Sequence, residues 1–261
     1  LSFISNYIRE KNQKNEKVLS IFLTSGFPHT ENFVQLAVDV LNEGADILEI
    51  GFPFSDPLAD GPTIQSSSFA ALQQGITIEK TFSFVEEIRK KSDKPVILMG
   101  YANPVLKYGI EKFSSDAAES GVNGVIIPDV PIDEYENFFN HSFNELDVIL
   151  LAAPTTPEDR IKKIDELSQG FLYYISMTGT TGKKIQDKTE IQNQLKKISR
   201  IVRKNPILVG FGIASPEDVK MLSPYCSGVI VGSAVIKTLM NGNDNYQSSI
   251  EFVKQLKEAL V

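Results

Sequence analysis

The chain of 261 residues carries 26 Lys and Arg against 33 Asp and Glu, a formal charge of −7, with 42% hydrophobic and 23% charged residues. That balance fits one large barrel or two smaller domains with a real core, and it argues against general affinity for nucleic acid or acidic membranes, both of which need basic surface. The lone cysteine, Cys226, excludes an intramolecular disulfide and a cysteine-built zinc site and is compatible with a reducing cytoplasm, while His29 and His141 stand too far apart in sequence to point to a histidine-rich metal site.

The first nine residues, Leu1 to Arg9, read as a short amphipathic helix without the basic, apolar and cleavage regions of a secretion signal. A leucine at position 1 points to a trimmed start, and no apolar run approaches the length of a bilayer span. Short β-branched runs then alternate with longer segments of helical period. Strands are expected at 18–23, 46–50, 95–100, 124–127, 147–151, 171–176, 206–210 and 228–231. They are apolar nearly throughout, as parallel strands buried on both faces are. Between them, Phe33, Leu36, Ala37, Val40 and Leu41 give the stripe of an amphipathic helix, as do Phe82, Val85 and Ile88, and Ile191, Leu195, Ile198 and Val202.

Turn chemistry supports the alternation. Gly44, Gly121 and Gly170 fall where a left-handed residue closes a helix. The run Thr155, Thr156, Pro157, Glu158, Asp159 reads as a helix start with a threonine cap and a first-turn proline, and Ser215-Pro216-Glu217-Asp218 repeats that design. Eight strand-helix units with no composition break or polar linker predict a single domain over residues 1–261. Its expected fold is a closed TIM (β/α)8 barrel, with an extra N-terminal helix and short extra helices in the βα loops. The competing fold is an open doubly wound sheet. In such a barrel the site lies at the carboxyl ends of the strands, so the loops that follow them carry the chemistry.

The densest of these loops runs from Leu48 to Gln65. Glu49 interrupts an apolar strand and, by period two, points opposite to Leu48 and Ile50, into the barrel mouth. A carboxylate isolated there is costly to ionise, which raises its pKa and makes it a proton shuttle at neutral pH. Asp56 and Asp60 lie in a turn-rich segment where water and backbone donors keep at least one ionised. The alternative is that Glu49 takes a buried structural hydrogen bond while Asp56, before Pro57, and Asp60 merely shape turns.

Two further regions suit a phosphate. Gly210-Phe211-Gly212 follows the seventh strand and Gly232-Ser233 the eighth, the two loops where barrels often cradle phosphate through backbone N–H groups and a helix N-terminus. Tight turns alone would also account for these glycines. The polar, glycine-punctuated run 177–187 reads either as a mobile lid or as a disordered connector.

The segment from Leu48 to Gly61 resembles the signature of tryptophan synthase alpha subunits, L-E-x-G-x-P-F-S-D-P-x-A-D-G, and the likeness extends from Phe22-Leu23-Thr24-Ser25-Gly26 to Gly232-Ser233-Ala234. The resemblance implies cleavage of indole-3-glycerol phosphate to indole and glyceraldehyde 3-phosphate. Glu49 matches the family's catalytic acid/base and Asp60 the aspartate that binds the indole nitrogen. Phe22 and Tyr173 match residues lining the substrate pocket, with Tyr173 also supporting Glu49; Tyr101, Ile127 and Ala153 join them as groups suited to a flat indole. Gly212, Gly232, Ser233, Thr181 and Gly182 match phosphate contacts. Asp129, in the proline-marked loop 128–131, matches a residue tied to communication with the beta subunit, though it also suits a helix start.

The resemblance further implies an alpha2beta2 heterotetramer in the cytoplasm. No metal is expected, and no cofactor in this chain, pyridoxal phosphate belonging to the beta subunit. Phe27 stands where family members often have aspartate, a change expected to touch the entrance or an interface, and Met177 where some carry arginine. A related phosphate-binding barrel, such as a sugar-phosphate isomerase or indole-glycerol-phosphate synthase, and a noncatalytic activator are the competing functions. The first lacks the acidic signature, and a synthase needs a strand-end lysine that this chain does not offer.

Overall fold

The structure, a computed structural model, describes residues 2–139, 141–175, 188–210, 212–242 and 245–260. Its described residues form nine strands: β1 (Val18–Thr24), β2 (Ile47–Gly51), β3 (Val96–Met99), β4 (Gly124–Ile126), β5 (Asp147–Val148), β6 (Leu150–Ala152), β7 (Leu172–Ile175), β8 (Ile207–Gly210) and β9 (Gly228–Val231). They lie in the order β5-β4-β3-β2-β1-β9-β8-β7-β6, every pairing parallel. Only Ile149 separates β5 from β6, so both ends of that order belong to one stretch of chain and the barrel is nearly closed. The strand expected at 147–151 is therefore present but broken. Its first half pairs with β4 and its second with β7, and Ile149 donates its N–H to the Val125 carbonyl at 3.0 Å between them. The stagger that closing a barrel imposes on its strands accounts for the break. The open doubly wound sheet is set aside.

The expected stripes face the barrel. Phe33, Leu36, Ala37, Val40 and Leu41 are buried along the helix Phe33–Asn42, and Phe82, Val85 and Ile88 along Ile78–Arg89. Ile191, Leu195 and Ile198 do the same along Lys188–Ile201, with buried Val202 just past its end. Extra helices occupy the βα connections, Pro62–Gln73 after β2 and Ala102–Tyr108 after β3. The helix Phe3–Gln13 closes the opposite, amino end: the Ser2 hydroxyl caps it, accepting from the Ser5 N–H at 3.0 Å, and buried Ile4 packs against Gly124 and Gly170 below β4 and β7. There the buried Asp46 carboxylate accepts from the Leu19 N–H at 2.9 Å and pairs with Lys257 at 2.6 Å, tying the last helix to the first strand. Among the described residues, no helix is long and apolar enough to cross a membrane.

Three local expectations are corrected. Of the glycines, Gly121 and Gly44 close their helices at positive φ, Gly44 directly after the cap Glu43 with the Ala45 N–H donating to the Val40 carbonyl at 3.1 Å, but Gly170 lies beyond the cap Ser168. The helix Glu158–Leu167 starts behind Pro157 rather than a threonine, because the Thr156 hydroxyl instead accepts from the Ala153 N–H at 3.0 Å and tightens the loop. Phe27, expected at an entrance or interface, is buried in the core. The start at Ser215 is as expected: its hydroxyl accepts from the Asp218 N–H at 3.3 Å, with Pro216 first in the helix.

Candidate active site

Parallel pairing puts Phe22 of β1 in register with Glu49 of β2, and Glu49 with Ile97 of β3. Side chains alternate along a strand, so Glu49 lies on the face opposite to Leu48 and Ile50. That face is the barrel interior, and Glu49 is 0% exposed. Its carboxyl oxygen Oε1 accepts from the Ser20 hydroxyl at 2.7 Å, whereas Oε2 has no hydrogen-bond partner among the described residues. Burial, which disfavours the charged form, pushes the Glu49 pKa up to about 7; the Ser20 bond opposes that rise.

Asp60 reaches the same space from the loop after β2. Its backbone N–H donates to the Pro57 carbonyl at 3.0 Å and its own carbonyl accepts from the Gln65 amide at 2.9 Å, which anchors the turn. The carboxylate accepts from the Tyr101 hydroxyl at 2.8 Å, and that hydroxyl accepts from the Ala59 N–H at 3.1 Å. The expected access to water holds for Asp56 of the loop and not for Asp60. It is 9% exposed, and burial raises its pKa to about 6 against the lowering effect of the Tyr101 bond. Asp56 is the exposed acid of the loop.

Glu49 and Asp60 line one cavity with Phe22, Ile64, Met99, Tyr173, Gly212, Ile213, Ile230, Gly232 and Ser233. Its wall combines the two acids and apolar and aromatic groups with glycines and Ser233, the first residue of the helix Ser233–Asn241, whose N-terminus favours an anion. Tyr173 is buried, and the nearby Glu49 and Asp60 carboxyls add to burial in holding its phenol protonated. Two strand-end glycines make room for these rings. A Cβ on Gly51 would collide with Phe22, and one on Gly210 with the Tyr173 hydroxyl.

Seven of the expected residues therefore meet here: Glu49, Asp60, Phe22, Tyr173, Gly212, Gly232 and Ser233. Thr181 and Gly182, with the whole run 177–187, lie outside the described residues, as does Phe211. Tyr101 lines an adjoining cavity that shares Phe22, Asp60, Ile64 and Met99 as walls; Ile127 and Ala153 line neither. Asp129 stands apart from the cavity and does start a helix, but not its own: its Oδ1 accepts from the Ala102 N–H at 2.9 Å, at the head of Ala102–Tyr108. Among the described residues, no group of three or more His, Cys, Asp or Glu side chains could hold a metal.

Ser20, Met99, Ile64, Ile213 and Ile230 were not read from the sequence, nor was the Tyr101–Asp60 bond. Ser20 left a signal. It is a hydroxyl inside the apolar run VLSIFLT, two residues before Phe22 and so on the same face. The apolar walls left none, because Ile and Met in a strand or helix read as core wherever they point.

A family model described as tryptophan synthase alpha chain matches residues 8–260. The tryptophan synthase alpha chain of Christiangramia forsetii is 42% identical over 254 residues, covering 96% of this chain and 99% of that relative. The one of Petrotoga mobilis is 42% identical over 251 residues, covering 95% and 96%. Among solved structures, tryptophan synthase subunit alpha from Legionella pneumophila superposes with a TM-score of 0.91 at 32% identity, covering 100% of this chain and 98% of that chain. The aminoacrylate-bound tryptophan synthase from M. tuberculosis does so at 0.88 and 30% identity, covering 100% of both.

Proposed function

The chain belongs to the tryptophan synthase alpha chain family, and we propose that within it Glu49 is the acid and base of the reaction and Asp60 the charge that stabilises its intermediate. The reaction is the retro-aldol cleavage of indole-3-glycerol phosphate to indole and glyceraldehyde 3-phosphate, a lyase step of tryptophan biosynthesis. Alpha chains of this family have no cofactor of their own and pair with a beta subunit that holds pyridoxal phosphate and receives the indole.

Cleavage needs two proton movements. Ring carbon 3 must first gain a proton, which breaks aromaticity and leaves positive charge near the ring nitrogen. The side-chain hydroxyl must then lose its proton as the carbon–carbon bond breaks, and the bonding pair returns to the ring. A carboxyl group with a pKa near the working pH can give the first proton and take the second. An ionised Asp60 at the ring N–H stabilises the cation between the two steps. The observation that carries this reading is the buried Glu49 carboxyl sharing one cavity with Asp60, Gly212, Gly232 and Ser233. The deciding measurement is indole release from indole-3-glycerol phosphate, with and without a beta subunit. An intact wild-type chain releasing none under either condition refutes the reading.

The competent free enzyme has Glu49 protonated and Asp60 ionised. We therefore expect its kcat/KM to follow a narrow bell with an acid limb at about 6 from Asp60 and an alkaline limb at about 7 from Glu49, which a pH–rate profile checks. Tyr101→Phe deletes a donor that stabilises the Asp60 carboxylate. The acid limb is expected to move up and the rate at pH 6 to fall severalfold; a pH–rate profile with an unmoved acid limb contradicts this. At the phosphate end, Ser233→Ala removes one charge-assisted donor, for which we expect KM to rise about tenfold at nearly constant kcat. Steady-state kinetics showing a kcat loss instead would place Ser233 elsewhere in the cycle.

We further propose one domain across residues 1–261, a cytoplasmic location and an alpha2beta2 assembly. The single sheet supports the first, and the lone, buried Cys226 is compatible with the second. Partner docking on the loop face is supported by the apolar side chains of Leu58, 87% exposed, and Phe69, 62% exposed, beside the Asp60 turn. On this reading Asp129, which braces the helix after β3 on that face, belongs to the partner interface.

A further inference from the structure

Ser20 sits in the middle of β1, 0% exposed, with Ile47 and Ile230 as its register neighbours on the two flanking strands. A hydroxyl sealed among aliphatic groups is costly unless it is hydrogen-bonded. Its side-chain partner is the Glu49 Oε1 atom at 2.7 Å, a distance typical of an O–H donor on a carboxyl oxygen. The bond occupies one oxygen of the carboxyl group and leaves the other, Oε2, without a hydrogen-bond partner among the described residues. A glutamate side chain turns easily about its last torsion, so two equivalent oxygens would share the proton at random. Here they are not equivalent.

We propose that Ser20 is a positioning residue for the cleavage reaction, holding the Glu49 carboxyl group by Oε1 so that Oε2 is the atom that carries and exchanges the proton. This rests on Glu49 being the acid and base. In the first step the Oε2–H bond breaks, its proton goes to ring carbon 3, and a ring π pair forms the new C–H bond. Glu49 is then a carboxylate whose Oε1 keeps the Ser20 bond. In the second step the substrate hydroxyl proton goes to Oε2, the O–H pair becomes the aldehyde C=O, and the carbon–carbon pair restores the indole ring. The carboxyl group needs no rotation between the two transfers, and the cycle ends as it began.

Ser20 is the group bonded to the Glu49 carboxyl in the structure. The other titratable groups on the cavity wall are Asp60, from the loop after β2, and Tyr173 on β7; β1, β3 and β9 present Phe22, Met99 and Ile230. None of those three apolar side chains can donate to a carboxyl oxygen. Asp60 is itself an acceptor already engaged by Tyr101. Ser20 also stabilises the ionised form of Glu49, so its removal moves the alkaline limb of the profile in a known direction.

The test compares Ser20→Ala with Ser20→Thr, which keeps a hydroxyl, and Ser20→Val, which has the shape of threonine without one. Indole release by the full chain is followed from pH 5 to 9. For Ser20→Ala and Ser20→Val we expect kcat to fall about tenfold with KM within twofold, and the alkaline limb to move up by about one pH unit. Ser20→Thr should restore both. A limb that stays in place in Ser20→Ala overturns the proposal, and so does Ser20→Thr behaving like Ser20→Val. Infrared titration of the Glu49 carboxyl band, assigned with Glu49→Gln, reads the same shift without turnover and serves if a variant is too slow to assay. Full activity in Glu49→Gln would sink the catalytic reading itself; an inactive Glu49→Gln beside an unshifted Ser20→Ala sinks only the role of Ser20.

Discussion

Glu49→Gln is expected to lose indole-3-glycerol phosphate cleavage by at least a factor of about 10³ while becoming more stable at alkaline pH. The activity loss follows from one group serving two proton transfers, since general acid–base catalysis contributes roughly 10² to 10⁴ in a single step. Glutamine keeps the shape and an acceptor oxygen for Ser20, but it can neither give nor take the proton. The stability gain has a definite sign. Burial raises the folded-state pKa of Glu49 from 4.5 to about 7, so between these values the folded chain binds the proton more tightly than the unfolded one. Wild-type stability is therefore fully present below about 4.5 and is lost as pH rises through about 7. At pH 8 the buried charge costs on the order of 3 kcal/mol, which glutamine avoids. We expect the mutant Tm to exceed that of the wild type by several degrees at pH 8 and the gap to close near pH 5. Indole release and thermal melts at the two pH values check both halves. Near-wild-type turnover removes Glu49 from the chemistry, and a Tm gap independent of pH removes the charge argument.

The barrel was legible because its strands are buried on both faces. Such strands read as continuous apolar runs, and each of the expected runs holds a strand. Glu49 was legible for the same reason: a carboxylate inside an apolar run is costly to bury and stands out against its neighbours. What could not be read were contacts between side chains brought together by closure. Thr156 and Pro157 have the composition of a helix start, yet the hydroxyl found a nearer backbone donor at Ala153. Asp129 has the composition of a cap, and it caps the helix after the preceding strand, 27 residues away. Asp60 looked solvated because its loop is rich in turns. In the fold, Ile64 and Tyr101 cover it, and the tyrosine comes from the loop after β3. Local patterns decided which elements form; the partners of polar groups depended on which loops the barrel sets side by side.

Asp60→Asn should lower kcat about 10² to 10³-fold with KM changed by less than threefold. The substitution is conservative for structure. The asparagine carbonyl still accepts from the Tyr101 hydroxyl, the backbone bonds to Pro57 and Gln65 are untouched, and an amide is easier to bury than a carboxylate. What it removes is a negative charge in a site shielded from water, where a charge facing a developing cation is worth far more than it is in solvent. The charge on the ring nitrogen exists only after carbon 3 is protonated. Its loss therefore raises the barrier and leaves ground-state binding, which rests on the ring walls and the phosphate end, nearly as before. The variant also separates two origins of the acid limb. If Asp60 is the group that must be ionised, the limb near about 6 disappears from the residual activity of Asp60→Asn while the alkaline limb at about 7 persists. If the acid limb survives unchanged, another group controls it. If instead KM rises and kcat holds, Asp60 binds the ring in the ground state and does not act on the cation.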